Sequence, residues 1–175
     1  MPGTRTKPIP PPYLITFTCY GARLHGDESG SVDRDHNIPG TPFLPPNPVR
    51  VSSERQRSRQ DPYVLDGRLG AVVLKALKDV CAYRGWTLFA AHVRTQHIHL
   101  VVAAKDDPER VLHDLKAYAS RALTCAGLDD AHRHRWTRHG STRYLWKPEQ
   151  VGTAIHYVVR EQGEPMAAWE MEWSQ

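Results

Sequence analysis

Cysteine is scarce in this chain, and the motifs that would give it a structural role are absent. The 175 residues include only three cysteines, Cys19, Cys81 and Cys125, which lie far apart and form no Cys-x-x-Cys pair. A disulfide framework and a cysteine-based zinc module are therefore not expected to organise the fold. The thiols are expected to be reduced, as is usual in cytoplasmic proteins.

Long hydrophobic runs are also missing. No segment approaches the ~20 consecutive apolar residues of a membrane helix. The Pro-rich residues 1–12 contain Arg5 and Lys7 but no apolar stretch of the kind found in signal peptides. Hydrophobic residues make up 40% of the chain, an ordinary share for a globular domain. We therefore expect one cytoplasmic domain without a membrane association.

The chain has no strong excess of charge of either sign, since 23 basic residues face 19 acidic ones. A mild excess of basic residues permits nucleic-acid binding without requiring it. The distribution of the charges is more informative, because basic and aromatic residues alternate over residues 133–147. This pattern is typical of a single-strand binder, and the alternative is a solvated loop with core tryptophans. The residues are Arg133, Arg135, Trp136, Arg138, Arg143, Tyr144, Trp146 and Lys147.

Local patterns divide the chain into an N-terminal arm, a main domain and a tail. Residues 1–12 are predicted to be an extended arm because of their prolines. The main domain spans residues 13–163 and includes a polar excursion, residues 21–62, that is too long for an ordinary loop. Residues 164–175 form the tail, in which two tryptophans at helical spacing, Trp169 and Trp173, are expected to pack back on the domain.

The main domain alternates between strand and helix patterns. Alternating or β-branched residues predict strands, and apolar residues at helical spacing predict two helices between them and one after the last strand. Asp66 is a predicted N-cap, and Pro108 and Pro148 are placed to open helices. The resulting order, β-α-β-β-α-β plus a C-terminal helix, predicts an α+β, ferredoxin-like antiparallel sheet with helices on one face and the other face free. The predicted strands span 13–20, 87–93, 96–104 and 141–146.

Two histidines, His97 and His99, are set two residues apart in the third predicted strand. Residues i and i+2 of a strand point to the same face, so both imidazoles are expected on one face and Ile98 and Leu100 on the other. A pair of imidazoles supplies half of a divalent-metal site. The alternative is that both histidines are structural.

Several segments together resemble a known family. RTQHIHLVVAA resembles the His-hydrophobic-His (HUH) motif of IS200/IS605-like transposases with a single catalytic tyrosine. The group of these proteins associated with repetitive extragenic palindromes is similar too. CYGARLHGDESGSVDR, LKAYASRAL, WTRHGSTRYLW and AIHYVVREQG resemble further segments of that family. The resemblance covers residues 13–163.

The resemblance implies an active site and a reaction. His97 and His99 would bind Mg²⁺ or Mn²⁺, and Tyr157 would be the nucleophile that cuts single-stranded DNA and forms a 5′-phosphotyrosine. The usual family pattern places a glutamine ligand four residues after the tyrosine. Here that position holds Glu161, followed by Gln162, so helix geometry favours Glu161 while residue identity favours Gln162.

The resemblance also implies a partner, which is single-stranded DNA folded as a short hairpin. Many members of the family form homodimers and related ones act as monomers, and the sequence does not decide between the two states. Charge and position indicate five candidate phosphate contacts: Lys116, Arg121, Arg138, Arg143 and Lys147.

Four alternatives compete with this interpretation. Tyr118, also helical and flanked by basic residues, is a rival nucleophile. His139 and Ser141 form half of the paired His-x-Ser motif of some phosphoesterases. His132, His134 and His139 could bind zinc. Finally, a ferredoxin-like sheet with a free face also serves non-catalytic nucleic-acid binders, although these present aromatic residues on the central strands.

Overall fold

The computed structural model describes residues 10–22 and 47–172. Five strands and four helices occur there. The strands are β1 (Tyr13–Thr18), β2 (Thr87–Val93), β3 (His97–Ala103), β4 (Ser141–Tyr144) and β5 (Ala167–Glu170). The helices are α1 (Pro48–Arg57), α2 (Gly67–Arg84), α3 (Pro108–Ala126) and α4 (Pro148–Arg160).

The strands form one antiparallel sheet in the order β4-β1-β3-β2-β5. Among the strands β1 to β4, β3 lies between β1 and β2. Helix α2 lies in the connection from β1 to β2 and α3 in that from β3 to β4, as in a ferredoxin-like domain. The predicted α+β fold is therefore confirmed. The fourth strand ends at Tyr144, two residues earlier than expected.

The main helices begin and end where the sequence signals predict. The Asp66 carboxylate accepts a hydrogen bond from the Leu69 N–H at 2.8 Å, and α2 ends at Gly85, whose φ of +67° favours glycine. Asp107 caps α3 in the same way, through the Glu109 N–H. Prolines open both α3 and α4, where a missing N–H costs nothing.

The sheet has two differently covered faces. On the first, which we call the closed face, α2 and α3 pack over alternate strand residues such as Ile15, Ile98 and Leu100, all of them fully buried. On the second, the site face, α4 packs over a smaller cluster that includes Val101 and Ile155. The expectation that this second face is free was wrong, because the apolar side of α4 covers part of it.

Two further segments differ from expectation. The polar excursion contains α1, which its sequence did not predict because its apolar residues are few and lack a clear helical period. The tail forms β5 and pairs with β2, so Trp169 packs on the closed-face core from a strand rather than from a helix. Trp173 lies outside the described residues. None of the helices in the described part of the chain is long and apolar enough to cross a membrane.

Candidate active site

Polar side chains replace apolar ones on the site face toward one end of the strands. Strand register places Thr16 opposite His99, and His99 opposite His92, in one row across the three central strands. The next row pairs Thr18 with His97. Because directly paired residues of antiparallel strands lie on the same face, these side chains form a continuous polar area beside α4.

The predicted histidine pair lies within this area. The ring centroids of His97 and His99 are 6.2 Å apart, with 14° between the planes. His99 is only 7% exposed, and its Nδ1 lies 3.0 Å from the Thr16 hydroxyl. Metal-binding histidines commonly make such a hydrogen bond with the nitrogen that does not face the metal, so Thr16 would make Nε2 of His99 the donor atom.

Helix α4 brings Tyr157 to the same place. Its ring meets the His99 ring edge to face, with centroids 5.8 Å apart and 83° between the planes. The side chain is 37% exposed, since it lies beside the buried stripe of α4 rather than in it. A cleft of about 480 Å³ between α4 and the edge of the sheet is lined by Tyr157, Thr16, Arg143 and Glu161. A phenol, a carboxylate and a guanidinium therefore line one cleft, and the His99 imidazole lies against the phenol ring.

The two candidates for the third ligand differ in their contacts. Glu161 lines the cleft, and its carboxylate lies 2.9 Å from Nδ1 of His156. The Gln162 side chain turns back instead and donates to the backbone carbonyl of Tyr157 at 3.1 Å. Both residues follow the last turn of α4, which ends at Arg160.

The donor chemistry of the site fits a divalent metal, since two imidazoles and a carboxylate are common ligands. Within residues 10–22 and 47–172, however, no three histidine, cysteine, aspartate or glutamate side chains are arranged to hold a metal ion. Glu161 would have to leave His156 to join the histidine pair. The same observation argues against the zinc alternative at His132, His134 and His139 in this conformation.

His92 is a site residue that the sequence analysis missed. Its side chain is fully buried, its Nδ1 lies 3.0 Å from the Val158 carbonyl, and its Nε2 accepts from the Met166 N–H at 3.4 Å. A ring with one donor and one acceptor nitrogen is neutral, and burial lowers the pKa of His92. His92 therefore ties the end of α4, next to Tyr157, to the centre of the sheet. A hairpin with a two-residue turn at 95–96 places residue 92 directly opposite residue 99. Counting back from this turn could therefore have predicted that His92 lies beside His99.

The predicted phosphate contacts fall into two groups. Arg138, Arg143 and Lys147 are exposed, and Arg143 lines the cleft. Lys116 instead donates to the carbonyls of Thr137, Arg138 and His139, and its partial burial lowers its pKa. The Arg121 guanidinium lies over the Tyr118 ring, with its Cζ 5.2 Å from the ring centroid.

That stacked pair belongs to α3, which covers the closed face. Tyr118 packs against the closed-face core. It therefore lies across the sheet from the histidine pair, unlike Tyr157.

The basic and aromatic residues of 133–147 separate in the same manner. Arg135 is 5% exposed and binds Asp129 through two nitrogens, and Trp136 packs edge to face on Phe17. Tyr144 and Trp146 are exposed, and their rings stack in parallel with centroids 4.7 Å apart. Part of the predicted binding segment is therefore structural core, and part is an exposed aromatic surface.

The fold and the site define a ferredoxin-like domain in which a strand histidine pair faces a helical tyrosine. Comparison with protein-family models finds no match, and comparison with curated proteins finds none either. Among solved structures, the chain is similar to a REP-associated tyrosine transposase bound to a REP hairpin. That match has a TM-score of 0.47 and 10% identity, and covers 90% of this chain and 70% of the other.

A second similar structure is a predicted transposase from Deinococcus radiodurans R1. It has a TM-score of 0.45 and 13% identity, and the match covers 90% of this chain and 95% of that one. Both structures are described as transposases, the class that the motifs resemble. A likeness of this strength does not assign an activity.

Proposed function

We propose that the chain is a metal-dependent, single-stranded DNA endonuclease and strand transferase of the transposase type, with Tyr157 as its nucleophile. The observation that carries this proposal is the meeting of Tyr157 with His99 beside a cleft that also contains Glu161 and Arg143. Tyr157, the Arg143 guanidinium and one candidate metal ligand, Glu161, line this cleft, and His99 lies against the Tyr157 ring. Mg²⁺ or Mn²⁺ is the proposed metal, bound by His97, His99 and Glu161.

Held by these residues, the metal would supply Lewis acidity toward a phosphodiester oxygen. The Tyr157 oxygen then forms a bond to phosphorus while the bond between phosphorus and the 3′ oxygen breaks. The phenol loses its proton and the leaving 3′ oxygen gains one, so protons balance over the step. The product is a 5′-phosphotyrosine and a free 3′-hydroxyl. Because the covalent bond retains the energy of the phosphodiester, a 3′-hydroxyl can later reverse the step and join strands.

The DNA strand is proposed to reach the cleft along the edge strand β4. Arg143 on this strand lines the cleft on the site face. The next residue, Tyr144, pairs with Tyr13 and starts the exposed Tyr144–Trp146 stack on the other face of the same edge. The Tyr13 ring contacts Tyr144 edge to face, and its single O–H lies within hydrogen-bond distance of the carbonyls of Ala104 (3.2 Å) and Asp106 (3.0 Å). A rigid aromatic surface beside cations suits the stacking of unpaired bases, which a hairpin presents in its loop and flanks.

The test is incubation of the protein with end-labelled hairpin oligonucleotides and Mn²⁺, followed by denaturing gel electrophoresis. We expect a protein–DNA adduct that depends on metal and is lost in Tyr157→Phe, which should still bind the DNA. Tyr118→Phe is the matched control and should retain the adduct. An adduct that persists in Tyr157→Phe would reject the proposal, as would the absence of metal-dependent cleavage on every hairpin from the flanks of the gene.

The same assay distinguishes the two candidate ligands. Glu161→Ala should raise the Mn²⁺ concentration needed for half-maximal cleavage by about tenfold or more, by analogy with losses at metal sites. Gln162→Ala should change it little, because that side chain bonds to the helix backbone. The opposite result would make Gln162 the ligand.

The alternative function is hairpin binding without catalysis on the same fold. The exposed aromatic pair on β4 favours it as much as it favours the enzyme. Hairpin binding by the wild-type protein without any covalent adduct in Mn²⁺ would support this alternative.

A further inference from the structure

Arg94 is a cation on the site face that the proposed chemistry leaves without a role. Arg94 directly follows β2. Its backbone N–H donates to the His97 carbonyl at 2.8 Å, so Arg94 and His97 are the next cross-strand pair after Val93 and Ile98. Cross-strand pairs share a face, so Arg94 is the direct neighbour of His97 in the polar area. This places a guanidinium on the strand next to the histidine pair.

The Arg94 side chain extends toward the segment that follows α4. Its Nη1 lies 3.1 Å from the point where a Cβ on Gly163 would be, and Gly163 has a φ of +75°. The guanidinium therefore occupies space that any other residue at position 163 would take, next to both candidate ligands, Glu161 and Gln162. The Arg94 side chain thus extends from the β2–β3 hairpin to the end of α4, the helix that carries Tyr157.

Within the described part of the chain, this guanidinium lacks a counterion. Nη1 is shielded from solvent and has no hydrogen-bond partner there. Nearly all buried hydrogen-bond donors in proteins have a partner, so a shielded donor without one needs an explanation. Arg135 shows the usual solution, since its guanidinium binds the Asp129 carboxylate at 2.6 and 2.9 Å.

We propose that Arg94 binds a phosphate of the DNA strand at the histidine–tyrosine site, as a catalytic residue that touches the substrate. A phosphodiester is an anion whose oxygens accept hydrogen bonds from a guanidinium. Although Nη1 is shielded, the Arg94 residue is partly exposed. A phosphate could therefore bind the accessible part of the guanidinium, beside the proposed metal ligands His97 and His99. This inference rests on the proposed function, because it takes single-stranded DNA as the ligand.

The test measures binding alone, in EDTA, so that neither metal nor cleavage enters. Labelled single-stranded hairpin DNA is titrated with protein at a series of KCl concentrations. Loss of one phosphate contact lowers the slope of log affinity against log salt by about 0.7 for a single strand. Arg94→Gln should show this change and bind about tenfold more weakly at physiological salt, as expected for a lost charge-assisted hydrogen bond.

Arg110→Gln is the matched control, since it removes the same charge from the exposed surface of α3 on the other side of the sheet. Its slope should stay close to that of the wild type. Arg94→Lys keeps the positive charge but loses the planar guanidinium that can donate two parallel hydrogen bonds. It should therefore keep the salt slope while losing part of the affinity. Circular dichroism and thermal unfolding of each variant confirm that the fold is retained.

A second arm locates the phosphate. Single phosphates are replaced one by one with neutral methylphosphonates. The wild type should lose affinity at the phosphate that Arg94 binds, and Arg94→Gln should be insensitive at that position alone. An unchanged slope and an unchanged methylphosphonate profile in Arg94→Gln would overturn this inference and leave the proposed function standing if the wild type still forms its adduct. Failure of the wild type to bind single-stranded DNA would overturn both.

Discussion

The two faces of the sheet use the same strands for opposite purposes. On the closed face, α2 and α3 bury alternate aliphatic residues completely, and polar groups there are paired, as in the Asp129–Arg135 contact. On the site face, α4 covers only one end of the strands, and the other end carries His99, His97 and Arg94. A single helix cannot cover a five-stranded sheet, so part of that face is available for chemistry. Along β3, Ile98 and Leu100 therefore stabilise the closed-face core, whereas His97 and His99 between and beside them face the candidate site.

The strongest test of this division compares two residues of β3. Leu100→Ala removes a fully buried closed-face side chain and should lower the free energy of unfolding by about 3 kcal/mol. His97→Ala should change it by less than about 1 kcal/mol, because the side chain is only half-buried, while abolishing metal-dependent cleavage. Chemical denaturation and the adduct assay measure the two effects. Equal destabilisation by both variants would show that the faces do not divide in this way.

A smaller effect is expected at the exposed Tyr144–Trp146 stack at the end of β4. Trp146→Ala should weaken single-strand binding by about 1–3 kcal/mol, the usual value for one stacked base. Tyr83→Ala is the matched control, because this ring is 75% exposed, against 70% for Trp146, but belongs to α2 and not to the β4 edge. Fluorescence anisotropy with a labelled oligonucleotide gives both affinities. If the two variants weaken binding equally, the stack on β4 is not a base-binding surface.

The smallest effect is a pH dependence at His92, where the site face is tied to α4. Burial lowers the pKa of His92 in the folded protein below the unfolded value of about 6.5. The unfolded chain therefore binds a proton first, and stability falls as the pH drops from about 6.5 toward the folded pKa, by at most ~1.4 kcal/mol per pH unit for one group. Above that window His92 contributes its full stabilisation.

His92→Asn removes this titration and keeps an amide N–H donor at the position of Nδ1, which bonds to the Val158 carbonyl. Denaturation curves between pH 7.5 and 5 should show a shallower loss of stability in the variant than in the wild type. All other titratable groups are the same in the two proteins, so the difference between the two pH profiles reports on position 92 and its immediate neighbours. Parallel pH profiles would mean that His92 is not held neutral by its surroundings.

Much of the architecture could be predicted because local chemistry specified it. The N-cap at Asp66, Pro108 and Pro148 at helix starts, and the alternation around His97 and His99 all act within a few residues, and the structure follows them. Helix α1 and strand β5 could not be predicted in this way. Their residues have no clear period of their own, and β5 forms because β2 offers an unpaired edge, which no local pattern records.

For the candidate site, the sequence by itself determined which groups are present and which of them share a strand or a helix. Spacing alone placed His97 beside His99 and kept Tyr157 out of the apolar stripe of α4. Only the tertiary structure decided what these groups meet: α4 packs on the histidine face, His92 holds the end of that helix, and Arg94 reaches toward Gly163. The physical reason is that periodicity fixes the direction of a side chain relative to its own element, whereas contacts between elements depend on which apolar surfaces pack together.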